Sequence, residues 1–182
     1  MNPIESQMTQ LRLHGMARSF QALMETHQAL ELSLSDGLAL LLQAEHDERN
    51  NRRYARLRKN AAFRYPASVE QLSHSPARGL DKSLISRLAT ADYLEKGESV
   101  LITGATGCGK SFLASALGHH ACMQGYTVAY FNFQKLLLQT KLARAAGTIA
   151  RLFDHLAKTR LLILDDFGLT SLDANQRLDF LD

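Results

Sequence analysis

The stretch LITGATGCGKSFLASALG, Leu101 to Gly118, decides how this 182-residue chain is read. Within it, Gly104, Ala105, Thr106, Gly107, Cys108, Gly109, Lys110 and Ser111 satisfy G-x-x-x-x-G-K-[ST] at every fixed position. A polyphosphate is densely charged and rich in acceptor oxygens, so a loop that wraps it must turn successive backbone N–H groups inward. Gly104, Gly107 and Gly109 permit the torsions and the close approach this needs. Lys110 adds a mobile positive charge for the β- and γ-phosphates, and the Ser111 hydroxyl suits Mg²⁺. The residues after the loop, from Ser111 through Met123, have the apolar spacing of a helix at Phe112, Leu113, Ala116, Leu117 and Ala121. Its N-terminus faces the phosphate position, where the aligned dipole and free N–H groups favour an anion.

Working outward, Ser99-Val-Leu-Ile-Thr103 is a short apolar, β-rich run, so it is expected to be the buried strand that feeds the loop. Thr127–Phe133 and Arg160–Asp165 are further strand candidates. Helices are expected at Lys110–Met123, Gln134–Ala146, Thr148–Lys158 and from Asp173 onward. Strands alternating with helices imply βαβ units and a parallel sheet. The third strand candidate, RLLILDD, ends in Asp165 and Asp166. A parallel strand delivers its C-terminal residues to the crevice where ligands bind. Asp165 there would hold Mg²⁺ beside Ser111, and Asp166 would orient or polarise the attacking water. A solvated strand end or a helix cap is the plainer alternative for the two acids.

Composition sets outer bounds. The chain is 46% hydrophobic and 21% charged, as in ordinary globular proteins. No apolar run approaches the ~20 residues of a membrane span, and MNPIESQMTQ does not read as a secretory signal. Cys108 and Cys122 form no disulfide framework, and a cytoplasmic setting is expected. His119, His120 and Cys122 lie close together, but without a second pair at ligand spacing they read as packing residues rather than a metal site. Cys108 reads as a backbone contributor to the loop, and Tyr130, Phe131 and Phe133 read as core or interface residues.

The first 65 residues look all-helical. One helix is expected over Glu5–Leu30, with a break or bend at Gly15. Ser33-Leu-Ser-Asp36 reads as a capping box, followed by Leu34, Leu38, Leu41 and Leu42 on one face expected to be buried. That helix continues into a basic run and stops at or before Pro66. Between Arg49 and Arg64 stand seven basic residues, Arg49, Arg52, Arg53, Arg56, Arg58, Lys59 and Arg64, and no acidic one. Arg49, Arg52, Arg53 and Arg56 share a helical face with Lys59 at its edge, while Tyr54, Leu57 and Ala61 form a separate apolar stripe. Such a face could bind DNA phosphates without reading bases, or could be a solvated, acid-paired surface. The organisation expected is a helical domain over 1–65, a connector over 66–96 containing a helix at Asp81–Thr90, and an α/β phosphate-loop nucleoside triphosphatase core over 97–182.

These residues together resemble the IstB-like transposition helper ATPases, relatives of the DnaC-type helicase loaders within the AAA+ group. The resemblance covers nearly the whole chain. It rests on LRLHGMARSF (Leu11–Phe20), FRYPASVEQL (Phe63–Leu72), RGLDKSLISRLA (Arg78–Ala89), LITGATGCGKSFLASALGHHAC (Leu101–Cys122) and LLILDDFGLTSLDANQR (Leu161–Arg177). It implies an AAA+ core that binds ATP and Mg²⁺ through Gly104–Ser111, with Phe112 next to them, Asp165 as the magnesium acid and Asp166 as the catalytic acid. It implies helices that contribute to binding of double-stranded DNA and to self-association, and a partner transposase that the assembly assists.

Relatives run on past Asp182, so the sheet is expected to be incomplete at its C-terminal end. The sensor and arginine-finger regions would then be missing, and hydrolysis by this chain is expected to be impaired. In AAA+ sheets the loop-bearing strand lies between two later strands. Ser99–Thr103 is therefore expected either to pair directly with Arg160–Asp165 or to face a gap. The competing readings are a helicase loader, a small-molecule kinase with the same loop, and a non-catalytic DNA-binding or interaction fragment.

Overall fold

The computed structural model describes residues 2–27, 31–73, 79–169, 172 and 176–177. They belong to two compact units, Met1–Ala55 and Arg56–Asp182. In the first unit, Asn2 caps helix α1 (Pro3–Gln10) by accepting a hydrogen bond from the Ile4 amide. The single long helix expected here is two. The chain breaks at Leu11–Leu13, where Arg12 takes a φ of 61°, and resumes as α2 (His14–Glu25).

Gly15 is not the break. It sits in the first turn of α2, where a Cβ would come within 2.4 Å of the Ala44 carbonyl oxygen on α3 (Leu34–Ala61). α2 has no side-chain cap of its own. Glu45 of α3 supplies one, accepting from the Gly15 amide at 2.8 Å and the Met16 amide at 3.3 Å.

Ser33 begins α3 as expected, its hydroxyl accepting from the Asp36 amide at 3.1 Å and donating to the Asp36 carboxylate at 2.6 Å. The leucine face that follows departs from expectation. Leu34 is 90% exposed, and Leu38 and Leu42 are exposed too. Periodicity puts these side chains on one face but cannot supply a neighbour to cover it, and α2 meets α3 further along, at Ala44, Glu45 and Glu48. The helix ends at Ala61, after which Ala62 turns the chain with a φ of 55°, well before Pro66.

In the second unit the segment read as a connector is part of the core. Ala67, Leu72 and Ile85 pack with Leu113, Ala116 and Leu117 in one buried cluster. Helix α4 (Lys82–Ala89) starts where expected, with the Asp81 carboxylate accepting from the Ser83 amide at 2.8 Å. A short helix α5 (Asp92–Glu95) follows. The long central helix α6 (Lys110–Met123) has the bounds expected from its pattern. Gly118 lets α6 approach closely, because a Cβ there would lie 2.8 Å from Ile163 Cδ1 and 2.5 Å from Phe63 Cε1.

After α6 come β1 (Val128–Asn132), α7 (Phe133–Ala145), α8 (Ile149–Ala157) and β2 (Leu161–Asp165). β1 and β2 pair in parallel, with Val128 opposite Leu161 and Asn132 opposite Asp165. The sheet has these two strands among the described residues. Ser99–Thr103 departs from the strand expected there: it forms no strand and, of the two outcomes expected for it, faces a gap rather than pairing with β2. Ile102 still packs on the core cluster, while Leu101 is 81% exposed. An apolar run becomes a strand only where a neighbour takes its backbone groups, and among the described residues no strand does so for Ser99–Thr103. The helix expected from Asp173 onward lies largely outside the described residues.

Candidate functional site

The loop Gly104–Gly109 enters α6 through Gly109, which takes a φ of 96° at the N-cap; Gly107 takes 80°. Both torsions fall in the left-handed region that side chains disfavour. Lys110 folds back over the loop, and its Nζ donates to the carbonyls of Gly104 at 2.9 Å and Ala105 at 2.8 Å. Ser111 and Phe112 are half-buried in the first turn of α6, and the residues from Gly104 to Gly109, Cys108 among them, are exposed.

β2 carries Asp165 to the same place. Ser111 Oγ donates to Asp165 Oδ1 at 2.8 Å although the two are 54 positions apart in sequence. Tyr130 of β1 donates its hydroxyl to Asp165 Oδ2 at 2.5 Å, and Arg64 Nη1 donates to the same oxygen at 3.3 Å. The Asp166 amide donates to Asp165 Oδ1 at 3.1 Å. Burial alone would raise the pKa of Asp165. The hydrogen bonds from Tyr130, Ser111 and Arg64 outweigh it and hold the carboxyl below its ordinary range. Burial and the adjacent Asp165 carboxylate push the Tyr130 phenol far up, so it stays a donor at neutral pH.

Asp166 follows with a φ of 58°, a conformation a non-glycine residue holds only when its surroundings enforce it. Asn132, opposite Asp165 in the ladder, donates to the Asp166 carboxylate at 2.8 Å. The two acids thus point to different neighbours. Asp165 faces Ser111 at the loop, and Asp166 is steered by the end of β1.

The donor set fits a divalent cation. A serine hydroxyl and a low-pKa carboxylate are hard oxygen ligands, and Mg²⁺ commonly takes one or two protein oxygens and fills its other positions with water and phosphate. The glycine loop before a helix N-terminus, with a lysine at its mouth, fits a polyphosphate.

The basic run divides. Arg49, Arg52, Arg53, Arg56, Arg58 and Lys59 are exposed along α3, while Tyr54 and Leu57 are half-buried and Ala61 is buried. Arg49 Nε donates to Glu45 at 2.7 Å and Arg52 Nε to Glu48 at 2.6 Å, so these two have intrahelical acid partners. Arg64 lies beyond the helix end and turns to the Asp165 carboxylate.

Sequence reading missed Tyr130, Asn132 and Arg64 as members of this cluster. For Asn132 a signal existed: it sits at the C-terminal end of a parallel strand, beside the strand bearing the acids, whereas Tyr130 lies in the middle of that strand. His119 is buried and its Nε2 meets the Tyr65 carbonyl at 3.0 Å, while burial pushes the Cys122 thiol up to about 11. Among the described residues no cluster of His, Cys, Asp and Glu is arranged to hold a metal, and no helix is long and apolar enough to cross a membrane.

The family model for the IstB-like ATP-binding protein of IS21-type elements matches residues 6–182. The chain belongs to the IstB-like family. It is 42% identical over 178 residues to the ATP-binding protein assigned to insertion sequence IS1162 in Pseudomonas fluorescens, covering 97% of this chain and 77% of that protein. It is 38% identical over 174 residues to the insertion sequence ATP-binding protein y4uH of Sinorhizobium fredii, covering 96% of this chain and 70% of the relative. The IS21 ATP-binding protein of Pseudomonas aeruginosa is 27% identical over 168 residues. The aligned share of this chain, 97% and 96% in the first two cases, extends well beyond the loop and its helix.

Proposed function

We propose that this IstB-like chain binds ATP with Mg²⁺ at the Gly104–Ser111 loop, self-associates on double-stranded DNA and assists a partner transposase. The observation that carries this reading is the 2.8 Å hydrogen bond joining Ser111 to Asp165 beside the loop. The insertion-sequence origin of the relatives supports transposition as the setting.

Bound Mg²⁺ would supply charge neutralisation at the phosphates. The chain's own residues account for the rest. Lys110 exchanges two neutral carbonyls for phosphate oxygens, because an ammonium bonds an anion more strongly than a carbonyl. The amides of the loop and of the first turn of α6 receive the remaining phosphate oxygens. Ser111 and Asp165 hold the cation, and Tyr130 fixes the orientation of the carboxylate. Asp166, steered by Asn132, orients a water at the terminal phosphate. Arg49, Arg52, Arg53, Arg56, Arg58 and Lys59 present positive charge to DNA phosphates along one helix, giving affinity without base selection.

The test is a titration of labelled duplex DNA with the chain, with and without ATP and Mg²⁺. Nucleotide should tighten binding, and Lys110→Ala should remove that gain while leaving the nucleotide-free affinity unchanged. DNA binding indifferent to nucleotide in both proteins would contradict the reading. Co-purification with the transposase of the same insertion element tests the partner.

A further inference from the structure

We propose that Arg64 belongs to the nucleotide site, where it holds the metal-binding carboxylate of the cation-free protein and competes with Mg²⁺ for it. This rests on the reading of Ser111 and Asp165 as the metal position.

Arg64 lies 101 positions before Asp165 in sequence, yet its guanidinium bonds Asp165 Oδ2 at 3.3 Å and lies 3.9 Å from Asp166 Oδ2. The Asp165 side chain is 10% exposed and the Arg64 side chain 51% exposed. A carboxylate that buried is costly without a counter-charge. Ser111 and Tyr130 are neutral donors, and Arg64 supplies the positive charge. The guanidinium also lies 5.4 Å from the Tyr65 ring centroid, which gives it an apolar face to rest on.

Half-exposed, Arg64 can withdraw. A divalent cation reaching Asp165 repels the guanidinium and takes over its counter-charge role, so the ion pair must open as the metal enters. Opening it costs part of the metal's binding energy. Arg64 therefore sets how much Mg²⁺ the site requires. This accounts for its position: Ala62 turns the backbone out of the helix with a φ of 55°, and the last arginine of the basic run faces the acids.

The measurement is the Mg²⁺ concentration that half-saturates binding of a fluorescent ATP analogue, for the unaltered chain, Arg64→Gln and Arg64→Lys. Arg64→Gln should lower it by about two- to fivefold, the worth of one exposed ion pair, and Arg64→Lys should stay near the unaltered chain. An unchanged or raised Mg²⁺ requirement in Arg64→Gln overturns the inference while leaving the nucleotide site intact. No Mg²⁺-dependent binding by the unaltered chain overturns both. Independently of any variant, the Arg64 side-chain NMR signal should shift when Mg²⁺ and nucleotide are added together; a signal that stays put also overturns the inference.

Discussion

Glu45 and Asp165 are both largely buried carboxylates, each bonded to an arginine, yet their partners differ in kind. Glu45 is 6% exposed and accepts from the backbone amides of Gly15 and Met16, with the exposed Arg49 side chain one turn along its own helix. The two amides cannot leave without unfolding the start of α2. Asp165 accepts from one backbone amide, that of Asp166, and otherwise from a serine hydroxyl, a phenol and a half-exposed arginine from distant parts of the chain. The arginine can rotate away and leave its place on the carboxylate to another ligand. An acid that holds the amides of another helix is a structural part, and one held mainly by side chains beside the glycine loop is open to a further ligand.

The sharpest way to break this contrast is to remove each charge. Glu45→Ala should destabilise the helical unit by about 2–3 kcal/mol, since it leaves helix N-terminal amides unpaired in a buried place. Asp165→Asn, which keeps an acceptor for Ser111 and Tyr130, should cost less, about 1 kcal/mol. Urea unfolding of both variants decides it, and equal losses would erase the distinction. Acid sharpens it further. Burial would raise the Glu45 pKa, but Arg49 and the two amides hold it below its ordinary 4.5. Its contribution is therefore complete above that pH and is lost as pH falls through the lowered value, so Glu45→Gln should flatten the acid limb of the stability curve.

Next in size is Gly15→Ala. Its new Cβ would sit 2.4 Å from a backbone oxygen of α3, and the overpacking should cost about 1–3 kcal/mol while leaving nucleotide affinity unchanged. Tyr130→Phe acts on the other carboxylate. Losing one hydrogen bond to a charged group should weaken Mg²⁺-dependent nucleotide binding by about tenfold, with folding preserved.

Much of the scaffold that carries Asp165 was legible. α6 had strand-loop-helix spacing, β1 and β2 had apolar runs, and parallel pairing follows from their alternation with helices. That logic alone puts Ser111 and Asp165 side by side. What could not be read depended on neighbours. The missing neighbour of Ser99–Thr103 follows from the sequence but its full loss of strand structure does not, and Leu34, Leu38 and Leu42 have a core helix's spacing yet are exposed. Arg64 was grouped with the arginines before it because adjacency in sequence hides a turn at Ala62. Tyr130 read as core, and it is 8% exposed, but burial does not reveal where a hydroxyl points.

The smallest effect separates the arginines themselves. If α3 binds DNA, Arg56→Ala and Lys59→Ala should each lower the salt slope of binding by ~0.9. Arg49→Ala and Arg52→Ala should lower it less, because Glu45 and Glu48 already partner them. Identical slopes across all four would place the DNA contact elsewhere.

The most direct test of the central claim is a titration of a fluorescent ATP analogue at saturating and zero Mg²⁺, for the unaltered chain, Lys110→Ala and Asp165→Asn. The expected result is saturable binding by the unaltered chain that Mg²⁺ strengthens, no saturable binding by Lys110→Ala, and metal-indifferent, weakened binding by folded Asp165→Asn. Binding by Asp165→Asn that Mg²⁺ still strengthens as in the unaltered chain would contradict it, because the carboxylate on β2 would then not be the metal's ligand.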